Sequence, residues 1–326
     1  MNKVAKLSET KVYAGRLKNK ENLLSSSSGG AFTALSNLFL EQGSAVICSI
    51  YNYDSHCPEF CLITDVENRD RAKGSKYVQS TMGNIYTQAE RWLESNPNKN
   101  ILFIGTGCQA EGFRKYVEQR KLRERCLIVD IICHGVPSPS LWKAYVSEIE
   151  KIHNGKIEYV TFKDKRNGWL CPTAFVQINN KEILITEYVR FYFSEVPLRP
   201  SCYSCPFTKI GRETDLTIGD FWHIEEKKPE FYDPSGTSLF LVHTEMGEMA
   251  FTQVKKDLIY IESNTEECWQ INLERPSKLP ANRQEVFDAC IYNGVYETIM
   301  KLHHERKNSI PRRILNKMKK LWKGQI

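Results

Sequence analysis

Ile101-Leu-Phe-Ile-Gly-Thr-Gly-Cys-Gln109, a helix-period run from Ala110 to Gln119, and then Cys126-Leu-Ile-Val-Asp-Ile-Ile-Cys-His-Gly135 together decide how this chain folds. A short apolar run, a glycine turn, an amphipathic segment and a second apolar run form one βαβ unit. Its two strands are parallel, with a right-handed crossover. Both strands therefore stop at the same edge of a sheet, which brings Cys108 and Cys133 near each other. In open α/β sheets that carboxyl edge is where ligands bind. Further along, Cys202-Tyr-Ser-Cys205-Pro206 has the two-residue spacing that turns both thiolates toward one metal site. Cys108, Cys133, Cys202 and Cys205 are thus the expected metal-ligating set. Sulfur ligation alone fits either zinc or iron–sulfur.

With 326 residues, 41% of them hydrophobic, the chain can bury a core without disulfides. It has no apolar run of about 18 residues, and its polar start lacks a signal-peptide core, so a cytoplasmic protein is expected. Eleven cysteines are many for a reduced compartment and point to metal or redox use. Cys48, Cys61 and Cys126 lie in apolar runs and read as small core residues. The formal charge of +6 is misleading: Lys301 to Ile326 holds nine basic residues and one acidic, leaving 36 basic and 38 acidic elsewhere. The body lacks a basic patch with interleaved aromatics, so nucleic acid is not an expected partner.

In chain order, residues 1–24 read as a polar, exposed lead-in and residues 25–152 as the α/β part. Residues 153–275 read as a β-rich part carrying the CxxC, and residues 276–326 as a helical basic tail. The fold class is mixed α/β: a largely parallel central sheet with flanking helices, then a second β-rich portion. Ser25-Ser-Ser-Ser-Gly-Gly30 precedes a helix whose apolar faces are Phe32, Leu35, Leu38 and Phe39. Ser28 suits its N-cap, and the glycines open its positive end to an anion such as a cofactor phosphate. The plainer reading is an ordinary capped helix. Lys76, Tyr77 and Ser80 could contact a phosphate and stack on a ring, or belong to a solvated loop. Gly219 lets Asp220 sit where backbone and ligand approach closely. Within Arg312 to Gln325, apolar residues fall on one face among lysines. That pattern suits a membrane surface, an acidic partner, or packing on the body.

These residues resemble the beta-subunit family of coenzyme F420 hydrogenases and dehydrogenases, from about Ser25 to about Ser263. The likeness rests on six motifs in the family's order: Ser27-Ser-Gly-Gly30, Ser75-Lys-Tyr-Val-Gln-Ser80, Gly105-Thr-Gly-Cys-Gln109, Cys133-His-Gly-Val-Pro-Ser138, Ser201-Cys-Tyr-Ser-Cys205 and Thr217-Ile-Gly-Asp-Phe-Trp222. The resemblance implies an oxidoreductase with FAD and a 4Fe-4S cluster. Its cluster ligands would be Cys108, Cys133, Cys202 and Cys205. Its flavin would meet Ser27, Gly29, Gly30, Lys76, Tyr77, Ser80, Thr106 and Asp220. Where this chain has Gly107, the family often has proline. The family's ferredoxin-like cysteine segment has no counterpart before Cys48, so electrons are expected from a separate protein such as a ferredoxin. The +8 tail could steer an acidic one.

The expected function is an electron relay from that one-electron donor to a hydride-accepting substrate. The substrate would be coenzyme F420, another organic molecule, or a compound of surface-polysaccharide assembly. His134 is the candidate proton donor, with a backbone hydrogen bond as its plainer role. Two rivals stand beside this reading: a zinc-stabilised binding protein using the same four cysteines, and a membrane-surface scaffold acting through the tail.

Overall fold

The computed structural model describes residues 4–309. It begins with a strand, β1 (Lys6–Leu17), a short helix α1 (Lys20–Leu24) and α2 (Ala31–Glu41). A hairpin of β2 (Ala45–Asn52) and β3 (Cys57–Ile63) leads through α3 (Val66–Arg71) and α4 (Ile85–Ser95). Next comes the predicted βαβ unit: β4 (Ile101–Thr106), α5 (Gly107–Gln119) and β5 (Cys126–Ile131). After α6 (Pro139–His153), β6 (Ile157–Asp164), β7 (Thr173–Ile178) and β8 (Lys181–Leu184) make a small antiparallel sheet, followed by α7 (Thr186–Phe193). The chain then returns through β9 (Leu216–Asp220), α8 (Ile224–Lys227), β10 (Ser238–Thr244), α9 (Glu245–Val254) and β11 (Leu258–Ser263). Helices α10 (Arg283–Asn293) and α11 (Val295–Ser309) close the described residues.

The main sheet has eight strands in the order β11-β1-β10-β9-β5-β4-β2-β3. Its centre is parallel, because β2 pairs with β4, β4 with β5 and β5 with β9 in the same direction. Alternation along these strands sets the two faces. Val46, Cys48, Leu102, Ile104, Leu127 and Val129 pack under α2 and α9, whereas Ala45, Ile47, Ile101, Phe103, Cys126 and Ile128 pack under α4 and α5. Both faces are covered, which is why these strands read as continuous apolar runs. Each buried Leu, Ile or Phe side chain contributes about 1.5–3 kcal/mol. Trp142, Tyr145 and Tyr188 centre a second core between α6, α7 and the small sheet, which α10 and α11 join through Val286, Cys290, Val295 and Ile299.

Two expectations need correction. The polar lead-in is a strand over half of its length: β1 lies between β10 and β11, with Val12, Tyr13, Ala14 and Leu17 buried. Its charges leave at the rim, where Lys11 pairs with Glu248 and Arg16 lies 3.3 Å from Asp233 with its guanidinium over Phe231. The β-rich part expected over residues 153–275 is also not one body. β9, β10 and β11 are bonded into the main sheet, and only β6, β7 and β8 stand apart. Among the described residues no helix is long and apolar enough to cross a membrane. The amphipathic run Arg312 to Gln325 lies outside them.

Candidate functional site

Strands β2, β4, β5 and β9 end at one edge, where β10 begins and β1 ends, and a cavity of about 420 Å³ opens there. That is within the usual size of a ligand site. Its floor is Cys48, Ile104, Ile131 and Ile218, side chains of the α2-facing layer. One wall is the serine–glycine turn with Ala31 and Phe32. A second is the segment 73–80, and a third is formed by Val136, Arg199, Cys202 and Cys108.

The serine–glycine turn is shaped by its glycines. A Cβ on Gly29 would sit 2.2 Å from the Gly15 carbonyl oxygen and 2.4 Å from the Ser238 nitrogen, so the turn lies flat against β1 and β10. Gly30, at φ +90°, is the N-cap of α2 and offers no capping side chain. The Ser28 cap expected from sequence is thus not made; its hydroxyl donates to the Thr237 carbonyl at 2.9 Å instead. The Ala31 N–H donates to Ser238 Oγ at 3.4 Å, so the rest of the first turn and the helix dipole offer the positive end to the cavity.

Lys73 and Lys76 face the same space. The Lys76 ammonium donates to the Ala72 carbonyl at 2.6 Å and the Gly74 carbonyl at 3.0 Å, and burial lowers its pKa to about 8. Ser80 lies 2.7 Å from Ser49, hydroxyl to hydroxyl. Tyr77 turns away: its ring stacks on Tyr192 at 4.3 Å inside the second core. The carboxylate of Asp220 lines the cavity but is engaged by the small sheet, with Lys163 at 2.5 Å and the Trp169 indole N–H at 3.0 Å. Lys165, from the same loop, donates to the carbonyls of Leu23, Ser28 and Ser235.

The four cysteines arrive from three segments. Cys108 is in the first turn of α5, exposed, beside Thr106 at 3.2 Å. Cys133 follows β5, and Cys202 and Cys205 lie in and just after a 3₁₀ turn over Pro200–Ser204. Two glycines permit the approach. A Cβ on Gly107 would meet Phe207 at 2.8 Å, and one on Gly135 would meet Leu198 at 2.7 Å and Cys202 at 3.3 Å. The loops are also tied by the Arg199 N–H to the Val136 carbonyl at 2.9 Å, and by the Tyr192 hydroxyl to the Gly135 carbonyl at 3.0 Å. Arg212 forms a buried ion pair with Asp130, fixing the chain after Cys205 to β5.

The thiols are electrostatic neighbours. Burial drives Cys133 up to about 12, and the charges of Cys108, Cys202 and Cys205 push in the same direction. Burial also raises Cys202 and Cys205. Such thiols ionise only against a compensating positive charge, which a bound metal supplies. Among the described residues no three His, Cys, Asp or Glu side chains are gathered tightly enough for a single ion. A lone zinc needs four sulfurs about 2.3 Å from one point, whereas a four-iron cluster gives each thiolate its own iron.

His134 is next to Cys133 but is not part of the cavity lining. Its ring lies 5.4 Å from both Tyr192 and Phe193, its carbonyl accepts from Ser277 at 2.7 Å, and its Nε2 is buried without a partner. Sequence reasoning missed Arg199, Lys163 and Lys165. The available signal was Lys163 itself, a lysine beside Phe162 in a strand pattern, which is only 6% exposed.

Two family models match the chain. One describes the N terminus of the coenzyme F420 hydrogenase/dehydrogenase beta subunit and matches residues 12–86; the other describes the C terminus of the same subunit and matches residues 98–267. No curated protein matches. A solved structure from the xenon derivatization of the F420-reducing NiFe hydrogenase complex from Methanosarcina barkeri aligns over 94% of this chain and 94% of its own. The TM-score is 0.53 and the identity 17%, a likeness of fold. The molecule is therefore an oxidoreductase built on a mixed α/β sheet. It belongs to the coenzyme F420 hydrogenase/dehydrogenase beta-subunit family.

Proposed function

We propose that this chain binds FAD in the strand-edge cavity and a 4Fe-4S cluster on Cys108, Cys133, Cys202 and Cys205. On this reading it passes electrons between a one-electron carrier protein, such as a ferredoxin, and an organic substrate. What supports the reading is that Cys108, Cys202 and Cys205, from two other chain segments, act electrostatically on Cys133, and that Cys108 and Cys202 line a cavity that also receives the start of α2. A flavin beside an iron–sulfur cluster supplies the exchange between one-electron and hydride chemistry. The protein supplies binding and orientation. The amino end of α2, with Lys73 and Lys76, would hold the cofactor's diphosphate. Ser27, Gly30, Ser80 and Thr106 would line its path, and Gly29 would keep the turn flat enough to reach it. The apolar floor would keep water from the ring.

Lys76 gives this reading a pH signature. Its burial-depressed pKa of about 8 means that the empty site loses the lysine charge as pH rises through 8, whereas a phosphate beside it would hold the proton. Cofactor affinity should fall above pH 8 in the wild type and show a flatter profile in Lys76→Met. His134 would position the loop around Cys133 rather than deliver protons. The substrate would be coenzyme F420 or another hydride acceptor, including one of surface-polysaccharide assembly. Protein partners are supported by the relative's place in a hydrogenase complex. A cytoplasmic setting is part of the proposal.

The test is an anaerobic preparation assayed for iron, acid-labile sulfide and released flavin. About four irons per chain, with loss in Cys133→Ser, support the reading. A colourless protein carrying one zinc and no flavin would sink it in favour of the structural-zinc alternative.

A further inference from the structure

Thr106 stands between the two proposed sites. It ends β4, precedes α5, lines the cavity and touches a candidate cluster ligand. Its Oγ1 lies 2.8 Å from Gln109 Oε1 and 3.2 Å from Cys108 Sγ. Gln109 is itself anchored, because its Oε1 also accepts the Thr106 backbone N–H at 3.1 Å and its Nε2 donates to the Ser80 carbonyl at 3.3 Å.

A count of protons makes this arrangement more than a helix cap. The threonine hydroxyl has one hydrogen to give. Gln109 Oε1 can only accept. A cysteine bound to metal is a thiolate, and its sulfur also can only accept. Two acceptors within reach therefore compete for one hydrogen. Which one receives it depends on how much negative charge the sulfur carries.

We propose that Thr106 tunes the reduction potential of the cluster by donating its hydroxyl to Cys108 Sγ in competition with Gln109. The proposal rests on the four-cysteine reading above. One electron added by an external one-electron donor increases the negative charge shared by the ligand sulfurs. The hydroxyl then turns from the glutamine oxygen to the sulfur, and no proton leaves the threonine. A hydrogen bond that strengthens on reduction stabilises the reduced form and raises the potential. Gln109 remains held by the Thr106 backbone N–H and by Ser80, so the turn of the hydroxyl leaves the start of α5 in place. Thr106 thus acts through Cys108 and is a positioning residue.

The test is an anaerobic reductive titration of the full chain, read by electron paramagnetic resonance. The proteins compared are wild type, Thr106→Val, Thr106→Ser and Gln109→Leu, each with its iron content measured. Thr106→Val should lower the reduced-to-oxidised ratio at a fixed potential about tenfold, a fall in midpoint of about 59 mV for one electron. Thr106→Ser should restore the wild-type midpoint. Gln109→Leu removes the competitor and should raise it. Iron-loaded Thr106→Val with an unchanged midpoint overturns this inference alone. If that variant loses its iron, an unshifted midpoint in Gln109→Leu overturns it instead. A wild-type chain without iron fails the four-cysteine reading and this inference with it.

Discussion

Single residues divide by whether their role depends on local spacing or on which way a side chain turns. That Cys108, Cys202 and Cys205 lie near enough to Cys133 to act on it electrostatically was legible because two strand ends and a CxxC spacing are local facts. The directions of Tyr77 and His134 were not, because both rings point into an aromatic core assembled from α7, more than fifty residues later. His243 is similar: nothing near it in sequence shows that it lies 2.8 Å from Thr217 and 3.2 Å from Thr10. Burial, with Arg212 and Lys6 nearby, lowers its pKa to about 3. The folded protein therefore keeps it neutral, whereas the unfolded chain takes a proton below about pH 6.5. Stability should drain away as pH falls from 6.5 toward 3, by about 1.4 kcal/mol per unit from this group. His243→Gln can bond both threonines without titrating. Urea unfolding across that range should give it a shallower acid slope; an identical slope would refute the assignment.

At the scale of elements, the βαβ unit was readable because each piece has the right length and period for one structure. β1 was not. Its charges Lys6, Glu9, Lys11 and Arg16 mask an apolar centre of only a few residues, and its partners come from beyond residue 237. The two views of this segment make different forecasts. An exposed lead-in could be removed at little cost. A strand inserted between β10 and β11 cannot, since its loss strips both of ladder bonds and uncovers Tyr13's neighbours Phe251 and Tyr260. Deleting residues 1–17 should therefore yield insoluble protein or a chain with no cooperative thermal transition. A soluble product melting as the wild type does would restore the lead-in reading. The apparent break near residue 153 misled for a related reason. Local composition marks where a new sheet starts, but not that β9 to β11 return to the old one.

At the scale of the molecule, the small sheet reaches the cavity through one loop. Lys163 pairs with Asp220, and Lys165 gathers three carbonyls, one each from α1, the serine–glycine turn and the segment before β10. Burial lowers the Lys165 pKa to about 8, so this contact holds a charged lysine at some cost at neutral pH. That cost is relieved as pH rises from 8 toward 10.5, where the folded protein sheds the proton and the unfolded chain keeps it. Lys165→Met strips the carbonyls of Ser28 and Ser235 of this donor, each costing about 1–3 kcal/mol if it stays dry, whereas the Leu23 carbonyl keeps the Ser26 N–H at 3.3 Å. Hydrogen exchange should quicken at residues 23–30 and 235–238 while the α4–α5 side of the sheet is unaffected. Equal exchange in both proteins would show that the loop is not a clasp.

The long reach from β1 to its neighbours also has a consequence during synthesis. Lys6 waits for Thr244, and at roughly 5–20 residues per second that interval lasts on the order of 10–50 seconds on the ribosome. Throughout it, a half-apolar strand has finished emerging while neither flank exists to receive it. Slow translation would lengthen the wait, and a chaperone that shelters the nascent amino end would shorten the exposure. The yield of soluble protein in a cell is thus tied to the timing of its manufacture as much as to the stability of the finished molecule.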